Sequence, residues 1–451
     1  MTKVITYGTY DLLHYGHIKL LERAKALGDY LVVGVTADDF DRTRGKINVQ
    51  QSLMERVEAV RQTGLADEII VEEYEGQKID DIQRLGIDIF TVGSDWVGKF
   101  DYLNEYCKVI YLDRTQGVSS TDIRSKKNNL RLGIIGNTPV INKVIRESGY
   151  VNGLEIAGVC MVESSSEFQS KVEDIPITHD YESLLNSVDA VYVLSHPSQH
   201  YRDVKAALEK GKHVICESPV ALTEAGCAEL LELAKQKKLV LADGIKTAYS
   251  TAYSRMILLA KGGKIGDIIS VDAICTSLRK IDYSDNDRMA QTWNSICSWA
   301  PTALLPVFQL LGEDYIDVQI YSRIVNEAYL YDEFSKVTLH YPGAVAAIKV
   351  GKGVKSEGEL IISGTKGYIY VPAPWWKTDY FEIRFENPAD NHRYFYQLDG
   401  EGIRNLLVSF IRRIECKGIS AISESTSKAI AGIMERYHSC EGLIRLQNVE
   451  Q

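Results

Sequence analysis

The chain has 451 residues, 45% of them hydrophobic, and a net charge of −10. That length exceeds one ordinary domain and predicts about two or three, while the acidic balance argues against a nucleic-acid surface, whose footprint is a basic patch or stripe. No apolar run reaches membrane-spanning length and the chain enters a strand directly, without a signal-peptide pattern, so a cytoplasmic protein with no membrane insertion is expected. The eight cysteines form no CxxC pair and no zinc spacing, and read as reduced core or surface residues.

Residues 4–7 read as a buried strand, Gly8 as the turn leaving it, and residues 18–24 as the first turns of an amphipathic helix. Between them the chain reads GTYDLLHYGH over residues 8–17. His14 and His17 are three apart, so on an incipient helix they share a face and can point at one anion. Gly16 lets a phosphate approach bare backbone, and amides at a helix N-terminus favour negative charge. Asp11 is expected to cap or position the turn, and Thr9 to offer a hydroxyl and an amide.

Apolar runs at 30–35, 68–71 and 87–92 alternate with helical stretches at 53–63 and 78–85, the pattern of a doubly wound α/β sheet, whose ligands lie beyond the carboxyl ends of the strands. Arg42, Arg44 and Lys46 concentrate positive charge in the loop after the second strand. Asp95 and Trp96 follow the fourth; an acid beside phosphates is repulsive, so Asp95 is assigned to base, ribose or a basic neighbour. Ser119, Ser120 and Thr121 have N-cap chemistry, and with Arg114 as counter-charge they make either plain caps or an anion cradle.

Residues 1–125 resemble the glycerol-3-phosphate cytidylyltransferase family of HxGH nucleotidyltransferases, through GTYDLLHYGH, VGSDWVGKFDYL and YLDRTQGVSSTDIR. The resemblance implies transfer of cytidylyl from CTP to glycerol 3-phosphate or a similar polyol phosphate, with Mg²⁺ accompanying CTP, in a homodimer that supplies wall or capsule polymer precursors. It implies catalytic roles for His14, His17, Lys46 and Arg114. Nucleotide contacts are implied for Gly8, Thr9, Asp11, Gly16, Arg44, Asp95, Trp96, Thr115, Ser119, Ser120 and Thr121. The family's basic residue before its third strand is replaced here by Gly64 and its neighbours, with Arg61 a candidate substitute. The closing string also occurs in related adenylyltransferases, so ATP is the alternative nucleotide.

After a polar linker ending at Asn129, residues 130–136 open a second strand series, with further strands at 155–159, 190–194, 213–216 and 239–241. Longer strands follow at 268–275, 335–341 and 344–350, before a long helical C-terminus. Residues 130–451 resemble the Gfo/Idh/MocA oxidoreductases, best over the stretch from VDAVYVLSHPSQHYRDV to LVLADG. The resemblance implies a Rossmann-like domain at 130–245 and a mixed α/β lobe at 246–451, after the cytidylyltransferase domain at 1–125. It also implies NAD(P), with Gly136, Glu163, His196, Glu217 and Lys246 as candidate dinucleotide-binding residues and His200 as a further candidate proton handler. The chain departs from the family's chemistry. Only Gly136 survives of the G-x-G-x-x-G turn, Ser218 stands where the family has lysine, and Ser298 and Thr302 stand at the positions of its Asp and His, where a hydroxyl is a poor general base. Two readings follow: an active NAD(P)-dependent lobe, or a binding or dimerisation module, the latter favoured by the motif losses.

Overall fold

The computed structural model describes residues 1–37, 49, 51–74, 76–113, 129–161, 175–279, 289, 291–396, 398, 400–415 and 419–446. The chain forms two compact units, Met1–Asn129 and Leu130–Gln451.

In the first unit the described strands are β1 (Lys3–Gly8), β2 (Tyr30–Thr36), β3 (Glu68–Glu72), β4 (Ile89–Gly93) and β5 (Lys108–Leu112), in spatial order β3-β2-β1-β4-β5. All pair in parallel. Helices α1 (Tyr15–Lys25), α2 (Leu53–Gln62) and α3 (Gln77–Leu85) connect them. The near-continuous apolar runs of β1 and β2 are explained by burial on both faces: Val4, Leu31 and Val33 join the core under α1 and α2, and Ile5, Val32 and Phe90 the core on the other side. The chain builds outward from β1 to β3 in one direction and from β4 to β5 in the other. The loops after Gly8 and Gly93 therefore leave adjacent strands at a topological switch point, where such sheets bind ligands.

The second unit opens with β6 (Leu130–Gly136), β7 (Leu154–Cys160), β8 (Ile177–Thr178), β9 (Ala190–Leu194), β10 (His213–Cys216) and β11 (Leu241–Asp243), a parallel sheet in the order β11-β10-β9-β6-β7-β8. Its helices include α4 (Val140–Ser148), α5 (Tyr181–Ser187), α6 (Pro197–Glu209) and α7 (Glu224–Gln236). A second, mixed sheet centres on β12 (Ile268–Leu278), paired in parallel with Val345–Gly351 and antiparallel with Leu360–Gly364. The fold is thus α/β throughout: a Rossmann-like sheet, a second Rossmann-like sheet and a mixed-sheet lobe.

Some boundaries differ from the sequence reading. Gly8 is the last residue of β1, paired with Val35, rather than the turn. Helix α1 starts at Tyr15, three residues before Ile18. The strand expected at 239–241 lies at Leu241–Asp243, because the Leu239 amide still donates to the Ala234 carbonyl at the end of α7. The C-terminus is not one helical run. Helices at Ile403–Ile414 and Glu424–His438 are followed by a turn at Gly442, φ +70°, and by strand Leu443–Arg445 on the mixed sheet.

Candidate functional site

The loop after β1 brings the two histidines together: their rings stack with centroids 3.9 Å apart and planes 24° from parallel. His14 is the N-cap of α1, its Nδ1 accepting from the Gly16 amide at 3.0 Å. That bond makes His14 the cap of α1 and engages the Gly16 amide; Asp11, expected to cap or position the turn, does not cap the helix. Asp11 is buried, and its Oδ1 accepts from the Gln51 amide at 3.0 Å. With Nδ1 of His14 accepting from a backbone amide, a neutral ring carries its proton on Nε2.

The loop is held in a conformation that ordinary residues avoid. Tyr10 has φ 54° and Leu12 φ 47°, left-handed backbone that persists only where surroundings over-determine it. Those surroundings were not apparent in the sequence. Tyr10 is 1% exposed and its ring meets the His17 ring edge-on at 5.5 Å. The Leu12 amide donates to Gln51 Oε1 at 2.8 Å. Arg56, fully buried near the start of α2, donates from Nη1 to the carbonyls of Thr9 at 2.7 Å and Thr36 at 2.8 Å, and from Nε to that of Gln51 at 3.2 Å. The available signal was an arginine among the helix positions Arg56, Val57 and Val60 that turn inward, since an unpaired buried charge is too costly to be incidental. Helix α2 itself is set by a capping box between Ser52 and Glu55.

Beyond β4, Ser94–Trp96 form a single 3₁₀ turn with Asp95 exposed and Trp96 half-buried. Trp96 packs on Phe100, ring centroids 5.8 Å apart, and carries the Lys99 ammonium over its face at 5.1 Å. The guanidinium of Arg61, the candidate substitute for the missing family cation, pairs with Glu58 at 2.5 Å on the exposed side of α2. Arg44, Lys46, Arg114, Thr115, Ser119, Ser120 and Thr121 lie outside the described residues, as does Glu163 of the second unit.

In the second unit the turn after β6 is closed by the chain itself. Thr138 Oγ1 accepts from the Val140 amide at 3.1 Å and Ile141 is fully buried. The first amide of α4 is thus engaged by Thr138, while the N-cap residue Pro139 supplies no side-chain cap; a dinucleotide pyrophosphate at this turn would need such amides free. Gly136, φ +146°, serves strand packing: a Cβ there would lie 2.3 Å from the Leu194 carbonyl oxygen. These residues do not fit a dinucleotide held in the usual way.

Both candidate histidines of this unit have partners within the chain. His196 caps α6 and meets Ser198 Oγ at 2.9 Å, and burial, with His200, His438 and Lys352 nearby, pushes it down to about 4. His200, fully buried, sits between the carbonyls of Pro219 at 2.7 Å and Ser195 at 2.8 Å. Glu217 is raised by burial to about 7, with Lys246 opposing the rise. Lys352, missed in the sequence, is buried on the mixed sheet with Nζ donating to the Trp293 carbonyl and, at 3.3 Å, to Ser298 Oγ. Burial pushes its ammonium down to about 8.

A cytidylyltransferase-like family model matches residues 5–126, and an oxidoreductase-family model with an NAD-binding Rossmann fold matches residues 130–244. The glycerol-3-phosphate cytidylyltransferase of Bacillus spizizenii is 52% identical over 130 residues, covering 29% of this chain and 100% of that protein. The same enzyme from Bacillus subtilis is 50% identical over 126 residues, covering 28% and 97%. A crystal structure of a 3-ketoreductase from Actinomadura kijaniata, in complex with TDP-benzene and NADP, matches with TM-score 0.62 at 17% identity over 71% of this chain and 100% of its own. At that identity the likeness shows the fold alone. Through its first unit the chain belongs to the glycerol-3-phosphate cytidylyltransferase family, and it is a nucleotidyltransferase.

Proposed function

We propose that the first unit joins CTP to glycerol 3-phosphate, or a closely similar polyol phosphate, releasing pyrophosphate and a CDP-polyol. The observation that carries this reading is the stacked His14–His17 pair at the start of α1, and the acceptor is supported by whole-length relatives named for glycerol 3-phosphate. The polyol-phosphate oxygen attacks the α-phosphorus of CTP in line as pyrophosphate departs, with no covalent enzyme intermediate. His14 and His17 donate to the α-phosphate oxygens as charge develops there. Arg44, Lys46, Arg114 and the 119–121 segment hold the other phosphates, and Gly8, Thr9, Asp95, Trp96 and Thr115 bound the nucleotide. Catalysis is then positioning plus electrostatics.

Mg²⁺ fits as a companion of CTP. It needs one or two carboxylates plus substrate phosphates, and among the described residues there is no group of three His, Cys, Asp or Glu side chains that would hold it without nucleotide. It would supply charge neutralisation on the triphosphate. The test is pyrophosphate release from CTP or ATP across a panel of polyol and sugar phosphates. Release with CTP and glycerol 3-phosphate far above all other pairs supports the assignment, and preference for ATP overturns it.

For the second unit, divided near residue 245 into a Rossmann-like part and a mixed-sheet lobe, we propose binding without redox turnover. The Thr138 side chain on the Val140 amide and the hydroxyls of Ser218, Ser298 and Thr302 support it. One observation favours the alternative reductase: Lys352 Nζ lies against Ser298, at the family's acid position. Titration with NADH and NADPH by fluorescence, followed by absorbance assays with ketose phosphates and CDP-polyols, separates the two. Turnover that disappears in Lys352→Met or Lys246→Ala establishes the reductase. A cytoplasmic homodimer working on wall or capsule precursors completes the proposal; among the described residues no helix is long and apolar enough to cross a membrane.

A further inference from the structure

Within the second unit, three ammonium groups from distant parts of the chain meet on one carboxylate. Lys377 Nζ lies 2.7 Å from Glu401 Oε1, and Lys143 and Lys246 lie 2.9 Å and 3.9 Å from Oε2. Lys143 is on α4, Lys246 follows β11, and Lys377 ends the 3₁₀ turn Trp375–Lys377. None is deeply buried: the lysine side chains are 41%, 28% and 39% exposed and that of Glu401 25%. One carboxylate cannot neutralise three cations. Glu217 beside Lys246 does so only in part, since burial holds its carboxyl near 7.

The lysines are held from behind by backbone. Thr247 Oγ1 donates to the Trp376 carbonyl at 2.9 Å, tying the segments that carry Lys246 and Lys377. Glu401 is presented by three successive left-handed residues, Gly400 at φ 64°, Glu401 at φ 54° and Gly402 at φ 84°. A Cβ at Gly402 would lie 2.5 Å from the Lys246 carbonyl oxygen, and one at Gly400 2.2 Å from Glu147 Oε2. Glu147 is on the helix that carries Lys143, and Arg404 pairs with it at 3.0 Å. A strained glutamate between two glycines therefore delivers its charge to a site assembled by other elements. Burial alone would raise the Glu401 carboxyl, but hydrogen bonds from Lys377 and Lys143 and the nearby ammonium charges hold it down at about 2. It stays ionised at physiological pH, so only another anion can take its place.

We propose that Lys143, Lys246 and Lys377 form a binding site for a diphosphate-bearing ligand, with Glu401 as an internal counter-ion that phosphoryl oxygens replace. Three ammonium donors match the oxygens and charge of a diphosphate better than the single charge of a carboxylate. The site is independent of the assignment of the first unit.

The test is hydrogen–deuterium exchange of the full chain, followed on peptides spanning residues 140–148 and 400–414, with inorganic pyrophosphate, CDP-glycerol and NADPH in separate titrations. Saturable change in both peptides is expected with at least one ligand. Its midpoint should rise at least tenfold in Lys143→Ala/Lys377→Ala and fall about tenfold in Glu401→Gln. The ligand with the lowest midpoint identifies the source of the diphosphate. Circular dichroism and thermal melting verify that the variants are folded, and Lys377→Arg, which keeps the charge, should respond like the parent. No change at 10 mM of any ligand, or equal midpoints in the parent and the double variant, overturns the proposal.

Discussion

The Arg56 guanidinium, with no exposed surface, donates to the Thr9 carbonyl at 2.7 Å and so anchors the loop of the stacked histidines from beneath. Removing it would leave the buried carbonyl of Thr36 without this donor, at a cost of about 1–3 kcal/mol, and the part-buried carbonyl of Thr9 at a smaller one. Arg56→Ala is expected to lower the melting temperature and to reduce kcat for cytidylyl transfer about tenfold or more. Arg56→Lys restores a charge but not the multiple donors, and should recover only part of either. Thermal melts together with steady-state kinetics check this; normal kcat in a folded Arg56→Ala variant would remove Arg56 from the positioning of the loop.

In the proposed mechanism His14 has two separable roles, Nδ1 capping α1 and Nε2 donating to the α-phosphate. His14→Ala should cost about 1 kcal/mol from the cap and on the order of 10²-fold in turnover from the lost transition-state donor. His14→Asn keeps a capping acceptor, so the melting temperature should be preserved while turnover still falls. His17→Ala should fall comparably. Near-normal turnover in both His14→Asn and His17→Ala would mean that the chemistry lies elsewhere.

Cations that hold phosphates already charged in the ground state act on binding as well as on the transition state. Lys46→Ala and Arg114→Ala are therefore expected to raise the KM for CTP about tenfold, with smaller effects on the KM for the acceptor. Initial rates at varied CTP and fixed acceptor measure this directly. Unchanged KM for CTP in both variants would return the two residues to ordinary solvated surface.

Asp243, 6% exposed, accepts from Ser427 Oγ at 2.8 Å, yet burial raises its carboxyl from 3.8 to about 6. The folded state binds this proton more tightly than the unfolded one, so its contribution to stability is complete below about pH 3.8 and is lost as pH rises through about 6. The difference amounts to about 3 kcal/mol once the group ionises. Asp243→Asn should raise the melting temperature at pH 8 and change it little near pH 4. A variant equally displaced at both pH values would show that packing, not ionisation, controls this site.

The alternation of apolar runs with helical stretches was legible in the sequence because burial of one face or two imposes a period on the chain, and that period is local. The same holds for GTYDLLHYGH, where the strand end, the helix start and the two imidazoles occupy ten successive positions. Only the tertiary structure decided what each polar group bonds to. It turned the Gly16 amide onto His14, and brought Arg56 to carbonyls 47 and 20 residues away. It seated Lys352 on Ser298 across 54 positions and Lys143 on Glu401 across 258. A hydrophobic pattern records which face is buried, but the partner of a polar side chain depends on strand order and on which crossover returns beside it. A sequence read locally does not contain that relation until the sheet has assembled.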